Sequence, residues 1–210
     1  MRLWFKIIFL LFITSFSFSQ QKQLKTGWER VLIPEVGFID IPPSLELQDK
    51  EKNPMLSAAN QNALYIQQKG LNDFKQSSFG TYVRVIIETE ISDDNEYEKL
   101  DLKYYFSQSE LKELDEILKP QFENPYTKII DWFPTSTVDI NNIRALLIHY
   151  TRVGNTKDKY PVDVKMYKFQ NYDRLHTVIV SYRIRDKYKW DSVLEDVLKS
   201  FTITNVKTPY

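Results

Sequence analysis

The sequence contains no cysteine, two histidines and five glycines among its 210 residues. The absence of cysteine excludes disulfide bonds, thiolate catalysis, cysteine-bound zinc and iron–sulfur clusters. The few glycines form no glycine-rich phosphate-binding loop, and no serine stands in the G-x-S-x-G pattern of hydrolases. The 28 basic and 28 acidic residues give a formal net charge of zero. Nucleic-acid binders usually carry a basic excess, so we expect no nucleic-acid partner.

The first nineteen residues have the layout of a secretory signal peptide. Arg2 and Lys6 supply positive charge, Ile7–Ile13 is an apolar run of seven residues, and small serine residues end the segment. The run is too short to span a bilayer, which takes about 20 apolar residues. We therefore expect residues 1–19 to be removed and no membrane span to remain. The mature protein is then expected to be secreted, to the periplasm or the cell surface.

The mature chain is predicted to be one domain with short extensions. Residues 20–36 form an extended N-terminal lead-in, residues 37–204 a single α+β domain, and residues 205–210 a C-terminal tail. Neither an internal repeat nor a dividing linker is visible in the sequence. Without disulfides the domain must be held together by its hydrophobic core, which a chain of this length can provide.

Most of the predicted secondary structure is β-strand. Thr81–Ile91 alternates between apolar residues on one face and Arg84, Glu88 and Glu90 on the other, the pattern of a half-buried strand. Asn171–Arg174 is a predicted tight turn that joins two later strands into an antiparallel hairpin. The other predicted strands are Trp28–Leu32, Gly37–Ile41, Ala63–Gln68 (alternatively the end of a helix), Leu100–Phe106, Lys128–Phe133, Ala145–Val153, Val162–Phe169 and Leu175–Ile184.

Two segments are predicted helices. Ser107 and Glu110 have capping-box spacing at the start of the first helix, and Pro120 ends or bends it. The second helix covers about residues 188–199 and has Trp190 on its apolar face. Helices set apart from a run of antiparallel strands define an α+β fold class, with a mostly antiparallel β-sheet packed against helices.

Three stretches resemble the Mog1/PsbP-like fold group, which includes the DcrB-type secreted proteins of bacteria. They are the extended segment Phe38–Pro43, the hairpin Val162–Ile184 and the closing segment Trp190–Phe201. Gly27–Gly37 (GWERVLIPEVG) also resembles the opening of small secreted proteins from gut-type bacteria. The resemblance implies an α/β/α sandwich and a non-enzymatic accessory or binding role. It supplies no catalytic motif, so we predict no catalytic residue and no cofactor.

Metal binding is not indicated by the sequence. His149 and His176 each lie in a predicted strand without a second histidine or a carboxylate at ligand spacing. The acidic stretch Asp93–Asp101 lacks the spacing and the glycine of a calcium-binding EF-hand loop. We expect a solvated loop at this stretch and no metal site.

Four residues are candidates for a binding surface: Trp132, Tyr167, Tyr172 and Arg174. Trp132 lies at the end of a predicted strand, and the other three lie on or beside the hairpin tip. Exposed aromatic and arginine side chains are typical of recognition surfaces. Tyr167 has an alternative role, which is to pack beneath a helix together with Phe169.

The charge is unevenly distributed along the chain. Residues 84–123 contain 5 basic and 12 acidic residues, a net charge of −7, and residues 144–210 contain 13 basic and 7 acidic residues, a net charge of +6. The two segments neutralise each other if their strands are neighbours in the sheet. Otherwise the molecule has one acidic and one basic face, which would orient charged partners.

These observations favour a secreted, non-enzymatic binding or accessory protein of the bacterial cell envelope. Its partner would be an unknown protein or small-molecule ligand in the envelope, and we expect a monomer or weak oligomer. Two alternatives stay open. One is an enzyme that acts on glycans through two carboxylates about 5–10 Å apart. The other is a structural subunit of an envelope assembly that docks through the hairpin tip.

Overall fold

The computed structural model describes residues 23–49, 63–70, 81–92, 99–123, 127–154 and 160–208. The predicted signal peptide and most of the acidic stretch Asp93–Asp101 therefore lie outside the described residues. Within those ranges the elements are β1 (Glu29–Ile33), β2 (Gly37–Ile41), β3 (Leu45–Leu47), β4 (Leu64–Gln68), β5 (Val83–Ile91), α1 (Gln108–Phe122), β6 (Thr127–Ile140), β7 (Ile143–Gly154), β8 (Val162–Asn171), β9 (Arg174–Arg183), a 3₁₀ turn (Ile184–Asp186), α2 (Lys187–Ser200) and β10 (Thr202–Ile203).

The described strands form two antiparallel sheets. The larger sheet has seven strands in the order β3-β4-β5-β9-β8-β7-β6, and the smaller has three in the order β1-β2-β10. Ser200, at the end of α2, ties the helix to the small sheet, because its hydroxyl accepts a hydrogen bond from the Asp40 N–H at 2.8 Å. The α+β class with a mostly antiparallel sheet is thus confirmed.

The two helices lie on opposite faces of the large sheet. Met166 and Tyr167 are neighbours on β8, so their side chains point to opposite faces. Met166 belongs to a core cluster that includes Leu118 and Phe122 of α1. Tyr167 belongs to the larger core cluster, which includes Leu194 of α2 and the apolar residues of the small sheet. The layers are therefore helix, sheet, and helix with small sheet, the predicted α/β/α arrangement.

Helix α1 begins with the predicted capping box. The Ser107 hydroxyl accepts from the Glu110 N–H at 3.3 Å, and the Glu110 carboxylate accepts from the Ser107 N–H at 2.6 Å. Pro120 does not end the helix, which continues to Phe122. Proline in the last turn removes a single backbone donor, and the Phe122 ring packs against Trp132 with centroids 5.7 Å apart.

Two strand predictions were wrong, one in kind and one in extent. Leu100–Phe106 is not a strand: Leu100 forms an isolated bridge with Tyr172, and a turn follows in which the Asp101 carboxylate accepts from the Lys103 N–H at 2.7 Å. Aspartate competes with strand pairing through such local bonds. Strand β6 is longer than predicted and passes through Pro134, with a register shift between Phe133 and Ser136. Proline is tolerated there because β6 is an edge strand.

Most of the other strand boundaries lie within one or two residues of the prediction. Ala63–Gln68 is largely strand β4, which pairs with β5, and is not the end of a helix. Leu45–Leu47, which is not among the predicted strands, forms the short strand β3. Among the described residues, neither helix is long and apolar enough to cross a bilayer.

Candidate functional site

The tip of the β8–β9 hairpin is held in an unusual backbone conformation. Asn171 pairs with Arg174, which leaves Tyr172 and Asp173 as the two turn residues. Tyr172 has a φ of +60°, a region that bulky residues rarely adopt. The Tyr172 N–H donates to the Leu100 carbonyl at 2.7 Å and so holds the residue in place. Backbone strain of this kind persists where its surroundings enforce it, often at functional sites.

A pocket of about 480 Å³ opens beside this turn. We call it the hairpin-tip pocket, and its volume lies within the range of small-molecule sites. It forms where the C-terminal segment 205–208 passes the turn. The lining residues are Ser92, Lys99, Tyr172, Asp173, Arg174, Asn205, Val206, Lys207 and Thr208.

Positive charge predominates among the described residues that line the hairpin-tip pocket. Its lining includes three cations, Lys99, Arg174 and Lys207, and one carboxylate, Asp173. Arg174 is fixed in position by ion pairs with Asp173 at 3.2 Å and Glu35 at 3.0 Å. The Lys99 ammonium lies 5.5 Å from the centre of the Tyr172 ring. An anionic group is therefore favoured in the pocket, with an aromatic ring at its edge.

A buried hydrogen-bond network anchors the C-terminal segment that forms one side of the pocket. Asn171 is fully buried, and its amide nitrogen donates to the Asn205 carbonyl at 2.9 Å while its amide oxygen accepts from the Lys207 N–H at 2.8 Å. The same amide nitrogen lies 2.9 Å from Nε2 of His176. Since the Asn171 oxygen is occupied by Lys207, the amide must donate to Nε2. The imidazole proton then resides on Nδ1, which lies 2.9 Å from the Thr89 hydroxyl.

This network requires His176 to be neutral. The pKa of His176 is lowered to about 4, mainly by burial; the nearby positive charges of Arg174 and Lys207 contribute to the lowering, and Asp173 opposes it. A proton on Nε2 would face one N–H of the Asn171 amide, and neither of these two N–H groups would then have an acceptor. The protonation state of His176 is thus coupled to the anchoring of residues 205–207.

The four predicted binding residues do not form a single site. Tyr172 and Arg174 meet in the hairpin-tip pocket. Trp132 lies beside α1, where its indole N–H donates to Asp115 at 2.8 Å and its ring stacks on Tyr150 with centroids 5.8 Å apart. Tyr167 is buried beneath α2, the alternative considered for it, and burial raises its pKa to about 12.

A second pocket, of about 230 Å³, lies beneath α2 and is lined in part by Tyr167. Its two carboxylates, Asp191 and Glu195, lie one helical turn apart. Burial would raise the pKa of Asp191, but the hydrogen bond from Tyr182 and the charges of Lys165 and Lys187 outweigh it and lower that pKa. Glu195 forms an ion pair with Lys199.

The two histidines occupy separate sites. His149 on β7 lies 2.8 Å from Asp163 on β8 and stacks on Phe133, whereas His176 contacts Thr89 and Asn171. Among the described residues, no three His, Cys, Asp or Glu side chains are grouped so that they could hold a metal ion.

Comparison with known proteins gives likeness of structure and not of sequence. The chain matches no model of a protein family and no curated protein sequence. Structural neighbours include a Pseudomonas aeruginosa putative regulator, PA94 (9% identity, 87% of this chain and 99% of that chain covered, TM-score 0.44), the PsbP of the cyanobacterium Synechocystis (12%, 84% and 92%, 0.48), and Mycobacterium tuberculosis LpqN, described as involved in cell envelope biogenesis (12%, 79% and 82%, 0.45).

At identities of 9–12% and TM-scores of 0.44–0.48, these neighbours establish neither the fold nor the function of this chain. The α+β class itself follows from the strands and helices described above. The function has to be argued from the residues of this chain.

Proposed function

We propose that the protein is a non-enzymatic binding or accessory protein of the bacterial cell envelope, exported after removal of residues 1–19. Its ligand site is the hairpin-tip pocket. The observation that carries the proposal is the meeting of Tyr172, Arg174 and Lys207 around a pocket of about 480 Å³. The positive charges and the short apolar run within residues 1–19 support export.

The ligand that suits this pocket is a small, polar anion. Lys207 supplies positive charge at one side, and among the described residues no carboxylate lies within 4 Å of its ammonium. Ser92, Asn205 and Thr208 supply polar groups that suit the hydroxyls of a sugar or a hydroxy acid. The Tyr172 ring offers an apolar face of the kind that packs against a sugar ring. A sugar acid or sugar phosphate combines these features.

Catalysis through two carboxylates has less support from the geometry. The second pocket does hold two carboxylates, Asp191 and Glu195, at a spacing of one helical turn. Glycoside hydrolysis needs one of them to be a proton donor with a raised pKa. The pKa of Asp191 is lowered, and Glu195 is paired with Lys199. This arrangement favours the binding proposal over the enzyme alternative.

Titration calorimetry with glucuronate, glucose 6-phosphate and uncharged glucose tests the proposal. We expect saturable binding of at least one anion and none of glucose. Lys207→Gln should weaken that binding about tenfold, as expected for loss of a charge-assisted contact. Tyr172→Gly should weaken it as well without lowering the melting temperature, because glycine adopts a φ of +60° without steric cost.

A charge change distant from the pocket provides the control. Lys119→Gln, on the exposed side of α1, removes the same charge and should leave binding unchanged. The proposal fails if neither anion binds, or if Lys207→Gln and Lys119→Gln weaken binding equally. A fall in the melting temperature of Tyr172→Gly would assign the ring to packing and remove it from the site.

A further inference from the structure

Arginine and tyrosine side chains alternate in a row at the end of the sheet opposite the hairpin-tip pocket. The row runs Arg84, Tyr82, Arg183, Tyr160, Arg185, and we call it the arginine–tyrosine row. Successive guanidinium carbons and ring centres are 5.4, 5.9, 5.2 and 4.1 Å apart. These are cation–π distances, so the rings hold the three guanidinium groups together in one place.

The row forms because three strands begin or end at the same edge. The Arg183 N–H, at the end of β9, donates to the Tyr82 carbonyl just before β5 at 3.3 Å. The next N–H, of Ile184, donates to the Pro161 carbonyl just before β8 at 2.9 Å. Backbone bonds thus fix the spacing of side chains that lie about 20 to 100 residues apart in the sequence.

The positive charge of the row is poorly compensated. Nε of Arg84 is buried without a hydrogen-bond partner. Arg183 forms no ion pair within 4 Å among the described residues. The carboxylate near Arg185 is Asp186, at 3.8 Å, and Asp186 also accepts from the Tyr82 N–H at 3.2 Å. Within the described ranges, three clustered guanidinium groups thus face a single nearby carboxylate, which favours a positive local potential.

Exposed aromatic and aliphatic side chains lie next to this charge. Tyr188 is 84% exposed, Tyr160 44% and Ile184 40%. The exposed lysines Lys187 and Lys189 lie on either side of Tyr188. Tyrosine side chains flanked by lysines and arginines are typical of protein surfaces that contact the headgroup region of a membrane.

We propose that this surface docks on the headgroups of an anionic phospholipid membrane. It comprises the arginine–tyrosine row and residues 184–189, together called the cationic end. The guanidinium groups would bind lipid phosphates, and the Tyr188 and Tyr160 rings would lie among the headgroups. Each basic residue at such a surface contributes about fivefold in affinity, equivalent to about 1 kcal/mol. The contact is peripheral and reversible, and it needs no inserted helix.

Docking in this way would orient the hairpin-tip pocket. Strand β9 runs from Arg174 in the pocket to Arg183 in the arginine–tyrosine row. Ten residues of strand span about 30 Å. The pocket would therefore be held about 30 Å from the membrane, at the opposite end of the domain. The docking proposal rests on different residues from the ligand proposal, so either can fail without the other.

Cosedimentation with lipid vesicles tests the docking surface. The protein should bind vesicles of phosphatidylethanolamine mixed with phosphatidylglycerol and not vesicles of phosphatidylcholine alone. Salt should weaken the binding, since surface charge is screened over about 10 Å at moderate ionic strength. Arg183→Gln combined with Arg185→Gln should weaken it about 25-fold, from two losses of about fivefold each. The exposed Tyr188→Ala should weaken it without changing the melting temperature.

A matched double variant controls for total charge. Lys112→Gln combined with Lys119→Gln removes two charges from α1 and should retain binding to within about twofold. Equal weakening by the two double variants, or equal binding to neutral and anionic vesicles, would overturn the proposal. Binding to soluble dextran sulfate but not to anionic vesicles would also overturn it and would assign the surface to an anionic polymer. If Arg183→Gln impairs folding, Arg185→Gln alone serves, because its side chain is exposed.

Discussion

Acidification should destabilise the protein through one side chain, His176. In the unfolded chain this histidine takes up a proton near pH 6.5, whereas in the folded protein it does so only near pH 4. Between these values the unfolded state binds more protons, so falling pH favours unfolding. The contribution of His176 is fully present above pH 6.5 and is lost as the pH falls towards 4. At about 1.4 kcal/mol per pH unit, the loss is about 3 kcal/mol.

The cause of this loss lies in the contacts of His176. Its ring is fully buried between Thr89 and Asn171, and Nε2 accepts from the Asn171 amide. Protonation of Nε2 turns this acceptor into a donor that faces another donor. The same Asn171 amide anchors residues 205 and 207. The C-terminal segment should therefore detach from the hairpin-tip pocket before the rest of the fold is lost.

Urea unfolding followed by far-ultraviolet circular dichroism, from about pH 7.5 to about pH 4.5, measures this contribution. His176→Gln keeps an amide in place of the ring but does not titrate, so its free energy of unfolding should vary less with pH. His149→Gln is the matched control, because it removes the other histidine, which pairs with Asp163. Parallel pH profiles of the original protein and His176→Gln would refute the reasoning, as would a loss of the pH dependence in His149→Gln.

Two further substitutions test how the small sheet and α2 are held. Trp190→Ala should cost about 3–5 kcal/mol in urea unfolding, because the ring is buried and its N–H donates to the Thr81 hydroxyl at 2.9 Å; a cost below about 1 kcal/mol would place the ring outside the core. Gly37→Ala should cost about 1–3 kcal/mol, because its Cβ would lie 1.9 Å from the Thr202 carbonyl oxygen, and an unchanged melting temperature would contradict that close approach.

The spacing of apolar residues in the sequence correctly predicted the strands and helices that bury one face. In Val83–Ile91 the alternation of burial follows the alternation of residue type, and the Ser107 and Glu110 capping box forms at the predicted helix start. Prediction was wrong where a local side-chain bond outweighs strand propensity, as at Asp101. The predicted strand also ended before β6 does, because the sequence does not show that this strand lies at the edge of the sheet, where Pro134 is tolerated.

The hairpin-tip pocket could be predicted only in part from the sequence. Tyr172 and Arg174 belong to one turn, so their proximity follows from the hairpin alone. Lys99 and Lys207 reach the same pocket from segments distant in sequence, and only the folded arrangement brings them there. No periodic pattern signals such a meeting.

The charge asymmetry of the sequence does not become two opposite faces in the sheet. Strand β5, from the acidic segment, pairs with β9, from the basic one. Glu88 and Lys168 lie on either side of Thr177 in adjacent strands. Positive charge is concentrated locally in the arginine–tyrosine row, where Arg84 of the acidic segment joins Arg183 and Arg185 of the basic one.

The small sheet sets the order in which the chain can assemble. Its central strand β2 lies near the N-terminus and pairs with β10, and Asp40 bonds to Ser200 across 160 residues. Contacts between such distant residues close late and slow folding. Strand β2 thus lacks its neighbour β10 until residues 202–203 have been synthesised. In the export proposed above, this late closure would leave the small sheet incomplete while the chain crosses the membrane.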